Sequence, residues 1–100
     1  MTHSVVFTER AEAQLDALYA LIEQDSGSAR AESFIGEIVT FCLGLALFPE
    51  RGTRRDDVRP GLRVLGYRRR VTITLTVEPD TVVIFGIFYG GQDWEAALEE

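Results

Sequence analysis

Seven residues in which Val71, Ile73, Leu75 and Val77 alternate with Thr72, Thr74 and Thr76 are followed, after Glu78-Pro79-Asp80, by a nearly unbroken apolar run over 81–89. The alternation has a period of two, which no helix can use: one face of a strand is apolar and the other offers threonine hydroxyls, half-exposed. The second run has no polar face, so it belongs inside a sheet with both sides covered, and Val83, Phe85 and Phe88 are expected in the core. Glu78-Pro79-Asp80 makes the turn between them. An antiparallel pair of strands is therefore the centre of the fold, and the remaining elements have to cover it.

Two amphipathic helices supply that cover. Val5-Val6-Phe7 reads as a short strand, and Thr8 can cap a helix whose first turn holds Glu9 and Glu12, favourable at the positive end of the helix dipole. Ala11, Leu15, Leu18, Tyr19 and Ile22 share one face, while Glu12, Asp16 and Glu23 face out. This helix ends near Asp25-Ser26-Gly27. Ser28 then caps a second helix, whose stripe Ala31, Phe34, Ile35, Ile38, Phe41, Cys42 and Leu45 runs to Phe48-Pro49. A turn of two or three residues makes the pair an antiparallel hairpin. Residues 49–60 read as a loop and 62–66 as a short strand. Gly90-Gly91 ends the apolar strand, and Asp93 can cap a short tail helix with Trp94, Ala97 and Leu98, which must dock on its own sheet or on a target. The expectation is one α+β domain over 1–100: an N-terminal strand and helical hairpin on an antiparallel meander, with a short C-terminal helix.

Charge is unevenly spread. Eight of the ten basic residues lie in 51–70, which carries +6 against Asp56 and Asp57, while the other eighty residues carry −12. An acidic body repels nucleic acid as a whole, so sequence-specific DNA binding is not expected, yet a local basic band can grip an anionic group at close range. Every cation is Arg, suited to bidentate carboxylate or phosphate contacts and unable to titrate near neutrality. Asp56 and Asp57 can neutralise Arg54 and Arg55. Arg68-Arg69-Arg70 opens the meander as strand, with Arg69 opposing the other two. The lone Cys42 sits on an inner helical stripe and is expected in the core; with one distant His it offers no metal-ligand spacing, and no metal or cofactor is expected. No stretch reaches the roughly 20 apolar residues of a membrane helix, and the first residues lack a basic region followed by an apolar run, so a cytoplasmic protein is expected.

Three motifs occur in order: Phe48-Pro49-Glu50-Arg51-Gly52, then Asp57-Val58-Arg59-Pro60-Gly61-Leu62-Arg63, then Ile87-Phe88-Tyr89-Gly90-Gly91-Gln92-Asp93-Trp94-Glu95. With the element order, they resemble the RelE/ParE superfamily of bacterial type II toxin-antitoxin toxins, and ParE in particular. The resemblance covers nearly the whole chain. It implies a toxin, linked to plasmid stabilisation, that inhibits DNA gyrase or a related type II topoisomerase by binding and is neutralised by a ParD-like antitoxin built on a dimer. Target contacts are then expected at Arg59, Arg63, Arg51, Arg69, Tyr89 and Trp94, and antitoxin contacts at Leu18, Ile22, Phe34, Ile38 and Leu75. RNA cleavage through a 2′-hydroxyl needs a base, an acid and cations on the phosphorane. His3 precedes the first strand, Glu50 stands beside Arg51 in a loop, and Tyr89 is the one candidate acid. No catalytic residue is therefore assigned. The alternatives are a RelE-like ribosome-dependent mRNA endonuclease, and a non-toxic member that only binds antitoxin, because Gly91 and Gln92 stand where many relatives carry basic residues.

Overall fold

A computed structural model describes residues 3–99 of the chain. The alternating run forms β4 (Val71–Val77) and the apolar run forms β5 (Thr81–Tyr89), paired antiparallel. β3 (Leu62–Tyr67) pairs antiparallel with β4, and a two-residue strand, β2 (Thr53–Arg54), adds to β3 within the segment expected to be loop. β1 (Ser4–Phe7) joins the far side of β5 in parallel, giving a mixed five-stranded sheet of order β1-β5-β4-β3-β2. β5 is thus an interior strand, as its apolar run requires.

The helices α1 (Glu9–Ser26) and α2 (Ser28–Gly44) lie on one face of the sheet. Thr8 caps α1, its hydroxyl accepting from Ala11 N–H at 3.1 Å. The turn between the helices is tighter than expected: Gly27, at φ 92°, closes α1 and opens α2 by itself, and Ser28 is the first helical residue, with no side-chain cap on α2. A left-handed φ is cheap only for glycine, so one residue suffices where two or three were expected. α2 also stops four residues before Phe48. Leu45 is drawn into the core and leads an irregular turn, which leaves Leu47 and Phe48 exposed.

Ala11, Leu15, Leu18, Ile38, Cys42 and Leu45 pack against Val71, Ile73, Leu75, Val82, Ile84 and Ile87. Each large aliphatic side chain buried this way contributes roughly 1.5–3 kcal/mol. The threonine face is less open than its composition suggests. Thr74 is fully buried, its hydroxyl reaching Gly86 O at 3.5 Å, and Leu62 and Phe88 are buried on this same reverse face. Gly86 makes that packing possible, because a Cβ there would stand 2.5 Å from a Phe88 ring carbon and 2.9 Å from the Thr74 hydroxyl. The register of β4 against β5 shifts at this point, from Thr74↔Gly86 to Leu75↔Ile84, and Phe85 is left without a partner. A bulge re-aims the strand locally. Phe85 and Val83 are accordingly half-buried on the reverse face, a correction to their expected place in the core.

The tail forms α3 (Trp94–Glu99) directly after Asp93. It docks on its own chain: Arg55 lies over the Trp94 ring at 5.2 Å and pairs with Glu95 at 3.2 Å, and Arg10 donates to Ala97 O at 3.2 Å. The Leu98 side chain falls outside the described residues.

Candidate functional site

The sheet divides the expected target residues between its two faces. Arg63 pairs in register with Leu75 and Arg54, so it sits on the helix side of the sheet. Arg59 is on the reverse side, its guanidinium 5.0 Å from the centre of the Phe85 ring. Arg59 and Arg63 therefore do not form one patch, although only Pro60-Gly61-Leu62 separates them in sequence. Trp94 also belongs to the reverse side, under Arg55. Arg51 lies over the Phe41 ring at 5.3 Å on the helix side.

Much of the basic band is already engaged within the chain. Arg55 grips Asp57 through two hydrogen bonds of 2.9 and 2.8 Å, and the bonds to Asp57 and then Glu95 hold its guanidinium firmly charged. The Asp57 carboxyl is held below its ordinary range chiefly by Arg55. Asp56 is lowered first by the backbone N–H of Gly61, at 2.8 Å, and next by Arg54 at 3.1 Å. These contacts shape the 55–61 loop, which is tied to Leu62 by backbone bonds from Arg55 N–H to Leu62 O and from Leu62 N–H to Arg59 O. Arg68, Arg69 and Arg70 form the β3–β4 turn rather than strand, a correction to the expected alternation: Arg68 and Arg69 adopt φ of 52° and 67°. Arg68 pairs with Glu37 at 2.8 Å, which leaves Arg69 exposed at the tip of a left-handed turn.

Tyr89 ends β5 with its ring edge-on to Phe34, centroids 6.1 Å apart. β1 reaches only as far as Ile84, so the remaining edge of β5 is closed by side chains instead of a strand. Thr8 donates its hydroxyl to Phe85 O, Gln14 Oε1 accepts from Ile87 N–H at 2.8 Å, and Gln92 Oε1 accepts from Tyr89 N–H at 2.7 Å. A cleft of about 300 Å³ opens between α1 and this edge, walled by Ala17, Leu18, Leu21 and Tyr89 and floored by the two amides. Gln14 lies in no motif, and Gln92, noted in sequence only for its lack of charge, gave no sign of this backbone contact. Arg55 and Glu95, forty positions apart, likewise meet only through the fold.

Of the residues expected to face an antitoxin, Ile38 and Leu75 are fully buried and Leu18 is 5 % exposed, so they form the core of this chain. Ile22 and Phe34 are half-buried and reachable from outside. Burial pushes the Cys42 thiol up to about 12, consistent with an inert core residue. Among the described residues no group of His, Cys, Asp and Glu is arranged to hold a metal ion, and no helix is long and apolar enough to cross a membrane. His3 and Tyr89 stand at opposite ends of the sheet. His3 precedes the Ser4↔Thr81 pair, and Tyr89 is eight residues further along β5, roughly 26 Å at strand rise.

Comparison with known proteins places this geometry. Residues 5–94 match the family model described as the ParE toxin of the type II toxin-antitoxin system parDE. A solved chromosomal ParDE toxin-antitoxin system from P. aeruginosa is similar at 26 % identity, with 89 % of this chain and 97 % of that chain covered and a TM-score of 0.77. The RelBE2 toxin-antitoxin complex from Mycobacterium tuberculosis shares the fold at 20 % identity, covering 89 % of this chain and 99 % of that one, with a TM-score of 0.62. No curated protein matches.

Proposed function

The chain belongs to the ParE toxin family of type II toxin-antitoxin systems, and from that premise we propose that it inhibits DNA gyrase or a related type II topoisomerase by binding, in the cytoplasm, and that a ParD-like antitoxin neutralises it. The observation that supports a binding mode is the separation of His3 from Tyr89, two of the groups an RNase could use. His3 and Tyr89 lie at opposite ends of the sheet, and the Tyr89 ring packs on Phe34. General acid–base catalysis requires both groups within hydrogen-bond reach of one phosphate.

Contact with the target is assigned to Arg51 and Arg63 on the helix side, and to Arg69 at the β3–β4 turn. Arg59 and Trp94, stacked within the chain, support the reverse face; Tyr89 lines the cleft beside α1. For the antitoxin, Ile22 and Phe34 with the exposed Leu21 offer an apolar surface along the helical hairpin. The similarity to a solved ParDE system supports such a partner.

The test is a supercoiling reaction with purified gyrase, the purified chain and a separately purified antitoxin from the same operon. Loss of supercoiling with accumulated cleaved DNA, reversed by the antitoxin, is the expected result. Unchanged supercoiling at a large molar excess of the chain would contradict the proposal.

A further inference from the structure

At the end of α2 the chain turns sharply, and Leu47 and Phe48 are left 64 % and 69 % exposed. They border a depression of about 400 Å³ that continues over Pro49, Glu50 and Arg51. Glu50 also borders a second, polar depression of about 230 Å³ lined by Arg54, Gly61, Arg63 and Val77. One loop, 49–52, therefore joins an apolar plate to a cationic recess.

The recess holds one well-paired and one weakly paired cation. Arg54 and Arg63 are directly opposed across β2 and β3, an arrangement that destabilises a ladder unless counter-charges intervene. Arg54 has Asp56 at 3.1 Å. Arg63 has a side chain only 17 % exposed, and the carboxylate facing it, Glu50, stands 3.9 Å away on a side chain 75 % exposed. A recessed guanidinium gains most from a close, bidentate carboxylate at about 2.7–2.9 Å. Glu50, 3.9 Å away on an exposed side chain, supplies much less than that.

We infer that the 49–52 loop is a docking site for an acidic peptide segment: a partner's carboxylate displaces Glu50 and pairs with Arg63, and an adjoining apolar side chain lies on Leu47 and Phe48. The apolar plate selects a peptide over nucleic acid: it gives a phosphate nothing to contact, whereas a segment carrying a carboxylate beside an apolar side chain meets both Arg63 and the exposed surface of Leu47 and Phe48. The inference deepens the reading of Arg63 and Arg51 as target contacts, and rests on that reading only for the partner's identity.

The experiment is a polarisation titration of the purified chain with a fluorescein-labelled octapeptide of alternating glutamate and leucine. Its glutamine-for-glutamate counterpart, sodium phosphate and a short DNA duplex are run alongside. The acidic peptide is expected to bind at least about tenfold tighter than its neutral counterpart, a difference of about 1.4 kcal/mol. Glu50→Gln should tighten it several-fold by removing the competing carboxylate, and Phe48→Ser and Arg63→Gln should each weaken it. Equal binding of the two peptides, indifference to Glu50→Gln, or stronger binding of the duplex would overturn the inference. Glu50 is exposed, so its variant remains informative even if Arg63→Gln does not fold. The titration contains no topoisomerase and no antitoxin, so its failure would leave the proposed function standing, and a failed supercoiling test would leave the titration standing.

Discussion

Arg68 and Arg69 hold left-handed backbone angles, φ 52° and 67°, that cost an ordinary L-residue on the order of 1 kcal/mol each. Glycine would carry neither cost, and Arg68 at least recovers some of it through Glu37. Arg69→Gly is expected to raise stability by about 0.5–1 kcal/mol in urea titration while weakening toxicity. A more stable variant of undiminished toxicity would remove Arg69 from the target surface. Gly86 poses the opposite constraint. An added methyl would press on the Phe88 ring and the Thr74 hydroxyl, so Gly86→Ala should cost about 1–3 kcal/mol in the same titration; a neutral result would mean that Phe88 is free to move aside. Neither effect was legible in sequence, where Arg68-Arg69-Arg70 read as strand and Gly86 as one more residue of an apolar run. Both depend on where the chain reverses and what lies across from it, which a local pattern does not record.

Among the elements, those read from periodicity came out with the right type. α1, α2 and β4 each carry a repeat that only one backbone geometry can bury, β5 was read from its short unbroken apolar run, and Thr8 capped α1 as expected. The elements and ends that sequence missed depend on distant contacts. β2 exists because β3 offers it a partner, and α2 ends early because Leu45 is drawn inward. The 55–61 loop and α3 are tied together by Arg55, which bonds Asp57 and Glu95 and covers Trp94. Arg55→Ala should therefore speed amide exchange in both segments while leaving β4 and β5 protected; exchange confined to the loop would show that α3 docks by other means. The loop should also respond to acid. Asp56 and Asp57 have carboxyls lowered in the folded chain, so their contribution is present above the ordinary Asp value of about 3.9 and is lost as pH falls through the lower folded values. Gly61 amide protection, followed by NMR, should fall below about pH 4, and Asp56→Asn should remove most of that dependence.

For the molecule as a whole, the α+β architecture and the family resemblance were both available from sequence, because the three motifs and the order of elements run along the chain. The site was only partly available. Arg59 and Arg63, close in sequence, face opposite sides of the sheet, and Ile38 and Leu75 close the core instead of lining a groove, while Leu18 backs both the core and the cleft beside α1. Alternation along a strand shows which residues share a face, but not which face the helices will cover. What the assembled molecule presents is an acidic body with Arg51 and Arg63 near one exposed apolar loop. This is a surface suited to gripping a protein. The central claim, that the chain acts by binding a topoisomerase, is tested most directly by expressing it without antitoxin and labelling DNA, RNA and protein synthesis separately over the first minutes. An early fall in DNA synthesis with accumulated cleaved DNA is the predicted result, and an early fall in protein synthesis with intact DNA would contradict it.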